Sequence, residues 1–244
     1  MTTSGTVRIG VSGHQGKLGT PIVAAVEQSE DLEIVCTKSR GQAPDVLSGC
    51  DVILEVSSAD GARETLPWAA ANGVNVVCGA TGLSAAELDA FDDLFKEFNA
   101  RCFVVPNFAI GAVLLMHFAA AAAKYFDGVE IIETHHAQKL DAPSGTAKLT
   151  AQRIAQALST KTDNASDEPP ARGERVAGVS THSVRLPGAV AHEEVIFGRE
   201  GQLLTLRHDS FSRTSFVDGA LLALRSFKQL SPGVSVGLDA VLDL

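Results

Sequence analysis

The first hundred residues alternate five short apolar runs with helix-forming segments, and this rhythm leaves the chain few folds to choose from. The runs are Val7–Val11, Leu32–Cys36, Val52–Val56, Val74–Cys78 and Phe103–Val105. Strands that are apolar on both faces belong to a parallel sheet covered by helices on each side. The segments Lys17–Gln28, Gly61–Asn72 and Ala85–Asn99 read as those helices, the last opened by the capping-box pattern Ser84-Ala85-Ala86-Glu87. The stretch between the second and third runs is short and is expected to hold only a trimmed helix. The fold class is α/β, a Rossmann-like doubly wound parallel sheet.

The pattern changes after Pro106-Asn107-Phe108. A helix is expected from about Ala109 to Lys124, then a strand ending at His135 and a helix from Ser144 to about Ser159. Thr160 to Arg175, with Pro169-Pro170 and Gly173, reads as an exposed loop. Three strand-like runs follow, Val179–Leu186, Val190–Phe197 and Leu203–His208, separated by turn signals at Pro187-Gly188 and Gly198–Gly201. They predict a second α+β domain with an open mixed or antiparallel sheet. A last helix at about 215–229 and an apolar tail return to the first half. The expected division is 1–106 with 217–244, and 107–216.

Gly13-His14-Gln15-Gly16-Lys17-Leu18-Gly19 follows the first strand and opens the first helix. Glycines there let the backbone approach a pyrophosphate, whose charge meets the amides and positive dipole end of the helix. The spacing is Gly-x-x-Gly-x-x-Gly, a variant of the dinucleotide fingerprint. The second strand ends Cys36-Thr37-Lys38-Ser39-Arg40, without the carboxylate that usually binds the ribose hydroxyls of NAD. Lys38, with Arg40, is a candidate for neutralising the 2′-phosphate of NADP, so NADPH is favoured over NADH; two solvated surface cations are the competing reading.

The segment from Glu130 to Ala147 puts His135, His136 and Lys139 at the end of a strand, just before Pro143-Ser144-Gly145-Thr146 opens a helix. Histidine exchanges protons near neutrality, and lysine pairs with a carboxylate or offers a proton. Ser144 is the expected N-cap, which leaves the amides of Gly145 and Thr146 to receive an anion. Neighbouring residues on a strand point to opposite faces, which argues against one metal held by both histidines. His182 and His192 also lack a metal-ligand spacing, so no metal is expected. A capped helix with surface polar residues is the bland alternative.

A net charge of −9 argues against nucleic acid or an anionic membrane as partner. No apolar run approaches the roughly 20 residues of a membrane span, and no signal core follows Met1, so a cytoplasmic protein is expected. Cys36, Cys50, Cys78 and Cys102 stand far apart in or beside apolar runs and read as buried reduced thiols.

Glu130 to Ala147 resembles throughout the signature Glu-x-x-Glu-x-His-His-x-x-Lys-x-Asp-Ala-Pro-Ser-Gly-Thr-Ala of the 4-hydroxy-tetrahydrodipicolinate (dihydrodipicolinate) reductase family. The glycine turn, Gly79-Ala80-Thr81-Gly82, Val105-Pro106-Asn107-Phe108 and Arg213-Thr214-Ser215-Phe216 extend the resemblance over nearly the whole chain. The resemblance implies reduction of a cyclic imine dicarboxylate by NADPH or NADH, in the diaminopimelate route to lysine. It implies His135 as proton donor or acceptor and Lys139 as second proton donor and carboxylate partner. His136, Gly145 and Thr146 become substrate-binding positions. The cofactor would be held by Gly13, His14, Gln15, Gly16, Lys17 and Leu18, by Gly79, Ala80 and Thr81, and by Val105, Pro106, Asn107 and Phe108. A homotetramer is implied, built through the second, substrate-binding domain. Ala80, Glu55-Val56-Ser57 and Thr37 depart from the residues common in the family. Another Rossmann oxidoreductase, such as an amino-acid dehydrogenase, and a non-enzymatic NADP-binding sensor are the other readings of the same scaffold.

Overall fold

The computed structural model describes residues 5–158 and 170–244. Most of the loop expected from Thr160 to Arg175 therefore lies outside the described residues. In chain order the elements are β1 (Val7–Ser12), α1 (Gly19–Val26), β2 (Leu32–Lys38), β3 (Val52–Glu55), α2 (Ala59–Ala71), β4 (Asn75–Cys78), α3 (Ala85–Glu97), β5 (Arg101–Val104) and α4 (Ile110–Ala123). They continue with β6 (Gly128–His135), α5 (Gly145–Leu158), β7 (Glu174–Val176), β8 (Val179–Arg185), β9 (Ala191–Arg199), β10 (Gln202–Ser210), α6 (Val217–Ser226) and β11 (Gly233–Val236). They fall into two compact units, Met1–Ile110 with Arg213–Leu244, and Gly111–Ser212.

The first unit is a six-stranded parallel sheet in the order β11-β5-β4-β3-β1-β2. Ile53, Val76, Cys78, Cys102 and Val104 point to one face and pack with Leu66 and Ala69 of α2 and Phe95 of α3. The alternate residues Val52, Leu54, Val77 and Phe103 are fully buried as well, so both faces are covered. That is why these strands read as unbroken apolar runs. A single 3-10 turn, Pro44–Leu47, stands between β2 and β3, the trimmed helix expected there. Ser84 and Glu87 close the capping box that opens α3. The strand order reverses beside β1, and loops leaving β1 and β3 diverge there to open a crevice at the carboxyl ends of the strands.

The second unit is a mixed sheet, β10-β9-β6-β8-β7, in which, among the described residues, the β6–β8 pair is parallel and the other neighbouring pairs are antiparallel. Leu115 and Ala119 of α4 and Ala151 and Ile154 of α5 pack onto Ile131, Val195 and Phe197 of the sheet. Along β9, buried Glu193, Val195 and Phe197 alternate with half-buried His192, Glu194 and Ile196, the period of a sheet with helices on one face.

Three details depart from the sequence reading. β7 occupies part of the stretch expected to be loop, joined to β8 by Ala177 and Gly178 at φ 50° and 85°. Two successive left-handed residues make the tight hairpin turn, and an alanine in the first position hides it. The apolar tail forms β11, which pairs with β5 and whose Val234 amide donates to Asp92 Oδ1 at 2.8 Å. The last helix is shorter than expected, α6 being flanked by 3-10 turns at Arg213–Phe216 and Phe227–Gln229. Three of the four cysteines are buried, Cys36 is half-buried, and all four are free thiols.

Ile131 has no exposed surface and sits in β6, the strand that ends at His135. Ile131→Ala is expected to cost about 2–5 kcal/mol of stability by cavity formation, measured by urea denaturation.

Candidate active site

In the first unit, Gly13, His14, Gln15, Gly16 and Lys38 line one cavity of about 650 Å³. Its wall also includes Ser39, Arg40, Ser57, Ser58, Gly61 and Glu64, so the loops leaving β1, β2 and β3 all contribute. Gly13 has φ +91°, and a Cβ on it would lie 2.7 Å from the Ser57 amide nitrogen. Only glycine brings the turn this close to the neighbouring loop. The start of α1 has no side-chain cap and no acidic residue in its first turn. Such a helix end favours an anion. His14 Nδ1 is buried with no partner among the described residues.

Lys38 is 4% exposed, and its Nζ lies 3.5 Å from the carboxylate of Glu64. Arg40 is exposed on the same cavity. Glu55 is fully buried, and its Oε1 accepts from the Ser57 amide at 2.9 Å and the Ser57 hydroxyl at 2.5 Å, which fixes the loop after β3. Lys17 and Leu18 follow the glycine turn but are not on the cavity wall. Gly79, Ala80 and Thr81, with Val105, Pro106, Asn107 and Phe108, form a separate group at the ends of β4 and β5. There the Val105 amide donates to Cys78 O at 2.7 Å, and the Phe108 ring leaves no room for a side chain at position 79. Ala109 N donates to Asn107 Oδ1 at 2.8 Å, which turns the chain into α4.

In the second unit, β6 places Ile131, Glu133 and His135 on one face. Glu133 is fully buried. Its Oε2 lies 2.5 Å from His135 Nδ1 and 2.9 Å from Arg185 Nη1, while its Oε1 accepts from Arg185 Nη2 at 2.8 Å and from the Ser144 amide at 3.2 Å. Burial pushes this carboxyl up, but hydrogen bonds from His135, Arg185 and Ser183 outweigh it and hold it at about 2. Arg185 Nη2 also donates to Asp141 O at 2.6 Å. The Asp141 carboxylate in turn lies 2.8 Å from Lys139 Nζ, and that hydrogen bond lowers the Asp141 pKa.

The chain turns tightly after β6, with Lys139 N donating to His136 O at 3.0 Å. His136 lies just past the strand, and its Nδ1 is buried with no partner among the described residues. Ser144 caps α5 by accepting from the Ala147 amide at 3.1 Å, and Gly145 and Thr146 form the exposed and half-exposed opening of that helix. One network centred on buried Glu133 thus ties His135, the partner of Lys139 and the start of α5 together. An imidazole, an ammonium group and a helix N-terminus so joined suit a proton transfer on an anionic substrate. Among the described residues no group of three or more histidines, cysteines or carboxylates is arranged to hold a metal. A further cavity of about 670 Å³, at the start of β6, holds none of the expected site residues.

Both halves of the chain match one family. The model for the N-terminal part of dihydrodipicolinate reductase matches residues 7–108, and that for its C-terminal part matches residues 111–242. The chain belongs to the dihydrodipicolinate reductase family. A 4-hydroxy-tetrahydrodipicolinate reductase of Cutibacterium acnes is 42% identical over 98% of this chain and 99% of its own length. Another, of Mycolicibacterium smegmatis, is 45% identical over 98% of this chain and all of its own. A dipicolinate-bound dihydrodipicolinate reductase from Paenisporosarcina sp. TG-14 superposes with a TM-score of 0.84 at 37% identity, covering 97% of this chain and 100% of that one. An engineered D-amino acid dehydrogenase shares the fold alone, at 15% identity and a TM-score of 0.53.

Sequence reasoning about the family signature named the histidines and Lys139 but gave no role to Glu133, Arg185 or Glu193. Glu133 stands two residues before His135, the spacing that puts both on one strand face. Arg185 carries no such signal, because it arrives through the parallel register of His135 with Arg185. Glu193 faces Glu133 across the β6–β9 ladder and is 5% exposed. Its Oε1 lies 2.5 Å from Thr150 Oγ1, which donates to Thr146 O at 3.0 Å in the first turn of α5. The Thr150 hydroxyl faces both acceptors, the Glu193 carboxyl and the Thr146 carbonyl, and so ties β9 to the first turn of α5. Burial, with the charge of Glu133 beside it, raises the Glu193 pKa to about 7 despite the Thr150 hydrogen bond.

Opposite pH windows follow from the two carboxylates. Glu193 keeps a proton in the fold that the unfolded chain releases, so its contribution is complete below pH 4.5 and fades as pH rises through about 7. Glu133 contributes above pH 4.5 and loses that contribution as pH falls toward about 2. Glu193→Gln is expected to remove a fall in stability of up to about 3 kcal/mol between those two Glu193 limits, read as urea midpoints across the pH series.

Proposed function

We propose that this reductase-family chain converts 4-hydroxy-tetrahydrodipicolinate to tetrahydrodipicolinate with NADPH or NADH, in the diaminopimelate route to lysine. The observation that carries the proposal is the buried Glu133–Arg185 network, which joins His135, Lys139 through Asp141, and the opening of α5. In this reading Lys139 meets one carboxylate of the substrate, and Gly145 and Thr146 at the start of α5 receive the other, with His136 beside them. His135 gives or takes the proton, and Lys139 is the second proton donor. Dipicolinate, the ligand of the Paenisporosarcina reductase, is likewise a ring dicarboxylate, the class of anion these groups suit.

The first unit supplies the nicotinamide site. The crowding at Gly13 and the uncapped start of α1 fit a pyrophosphate, so Gly13, His14, Gln15 and Gly16, with Lys17 and Leu18, would hold it. The Gly79–Thr81 and Val105–Phe108 segments would hold the nicotinamide end. When bound, the cofactor supplies the hydride. Lys38 and Arg40 favour NADPH, since a 2′-phosphate in this cavity would displace Glu64 as the partner of Lys38. The protein is proposed to act in the cytoplasm; among the described residues no helix is long and apolar enough to cross a membrane. A homotetramer built through the second unit's sheet completes the proposal.

His135→Gln and Lys139→Ala are each expected to lower kcat by about 10²-fold or more with the fold intact by circular dichroism. The assay follows NADPH oxidation with substrate generated in place from pyruvate and aspartate semialdehyde, and wild-type turnover in both variants would refute the proton roles. Lys38→Glu is expected to lower kcat/KM for NADPH about 10-fold or more, by loss of a charged hydrogen bond, and to change that for NADH far less. An unchanged ratio would remove Lys38 from cofactor selection.

A further inference from the structure

Glu133 is an ion buried at a heavy desolvation cost, and a single residue, Arg185, pairs with both of its oxygens. Such a pair is weak evidence for stability, because apolar residues of similar size often serve as well. Its position suggests another use. The carboxylate oxygen facing His135 carries no hydrogen, so at the 2.5 Å contact the hydrogen belongs to the imidazole Nδ1. Neutral histidine free in water prefers the other tautomer, with the hydrogen on Nε2. A neutral His135 against Glu133 is therefore held in its less common form.

We propose that Glu133, clamped by Arg185, is a positioning residue that fixes His135 as the Nδ1-protonated tautomer, so that every proton exchanged with substrate passes through Nε2. The inference rests on the reading of His135 as a proton-transfer group. With the ring neutral, Nε2 is a bare acceptor. With the ring charged, Nδ1–H still points at Glu133 and the labile proton sits on Nε2. The ring therefore keeps one orientation through the catalytic cycle. Arg185 extends the same control to Lys139, since its Nη2 also donates to the backbone carbonyl of Asp141, whose carboxylate holds Lys139 Nζ. The Ser144 amide on Glu133 Oε1 sets the start of α5 in the same frame.

Glu133→Gln tests this. Its amide oxygen keeps the most donors by staying on Arg185 Nη2 and the Ser144 amide, which turns the amide nitrogen toward His135 and gives up the bond from Arg185 Nη1. Nδ1 must then accept, and the ring inverts to the Nε2–H tautomer. In protein labelled with ¹⁵N-histidine, at a pH where the ring is neutral, wild type is expected to show Nδ1 protonated and the variant Nε2 protonated. The same variant is expected to lose at least about 10-fold in kcat, as inverted tautomers do elsewhere, while KM for NADPH stays unchanged. Glu133→Gln/Arg185→Met removes the cation left without a charged partner and restores packing, yet is expected to keep the inverted tautomer and the low kcat. A pair that serves only stability predicts that the double variant regains wild-type kcat, and that result overturns the proposal. Persistence of Nδ1–H in Glu133→Gln overturns it as well. The NMR measurement needs no turnover, so it stands apart from the His135→Gln assay, which tests the proton role itself.

Discussion

A carboxylate with no access to water must find all its partners inside the protein, and in the second unit everything near the site is arranged around that demand. Glu133 obtains two hydrogen bonds from Arg185 on the neighbouring strand, one from the ring of His135 and one from the chain just before α5. The four bonds come from three segments, the two from Arg185 sharing one of them. The groups proposed for the chemistry are thereby held by the same charge that would be costly to leave alone.

Two buried carboxyl groups face each other across β6 and β9, and their surroundings shift their pKa values in opposite directions. Glu133 has the guanidinium and is held at about 2; Glu193 has only a hydroxyl against its burial and is raised to about 7. Environments that separate two pKa values in this way recur where proteins need one charged and one neutral acid at the same pH. Here Glu193 braces the first turn of α5 through Thr150, while the ionised Glu133 holds the histidine.

The parallel sheet was readable because its strands are buried on both faces and announce themselves as unbroken apolar runs. The capping box of α3 was readable because it depends on residues three positions apart, and the glycine turn because its spacing is local, although what crowds Gly13 is the distant loop at Ser57. His135, Lys139 and Ser144 belong to one continuous segment, and their pairing with a helix start could be argued from it. Arg185 lies 52 residues beyond Glu133, and only the β6–β8 register joins them. β11 was missed because four residues, Gly233–Val236, carry too little alternation to define a strand; it exists through pairing with β5. The turn at Ala177 was missed because alanine rarely takes a positive φ.

β11 also bears on the order in which the protein is made. Residues 111–212 are inserted between the bulk of the first unit and Arg213–Leu244, so β11 and α6 leave the ribosome after the entire second unit. Until then β5 presents an unpaired edge, and α1 lacks α6, the helix it packs against. The nascent first unit must wait with that edge open while the second unit is synthesised, and pairing with β11 then closes it.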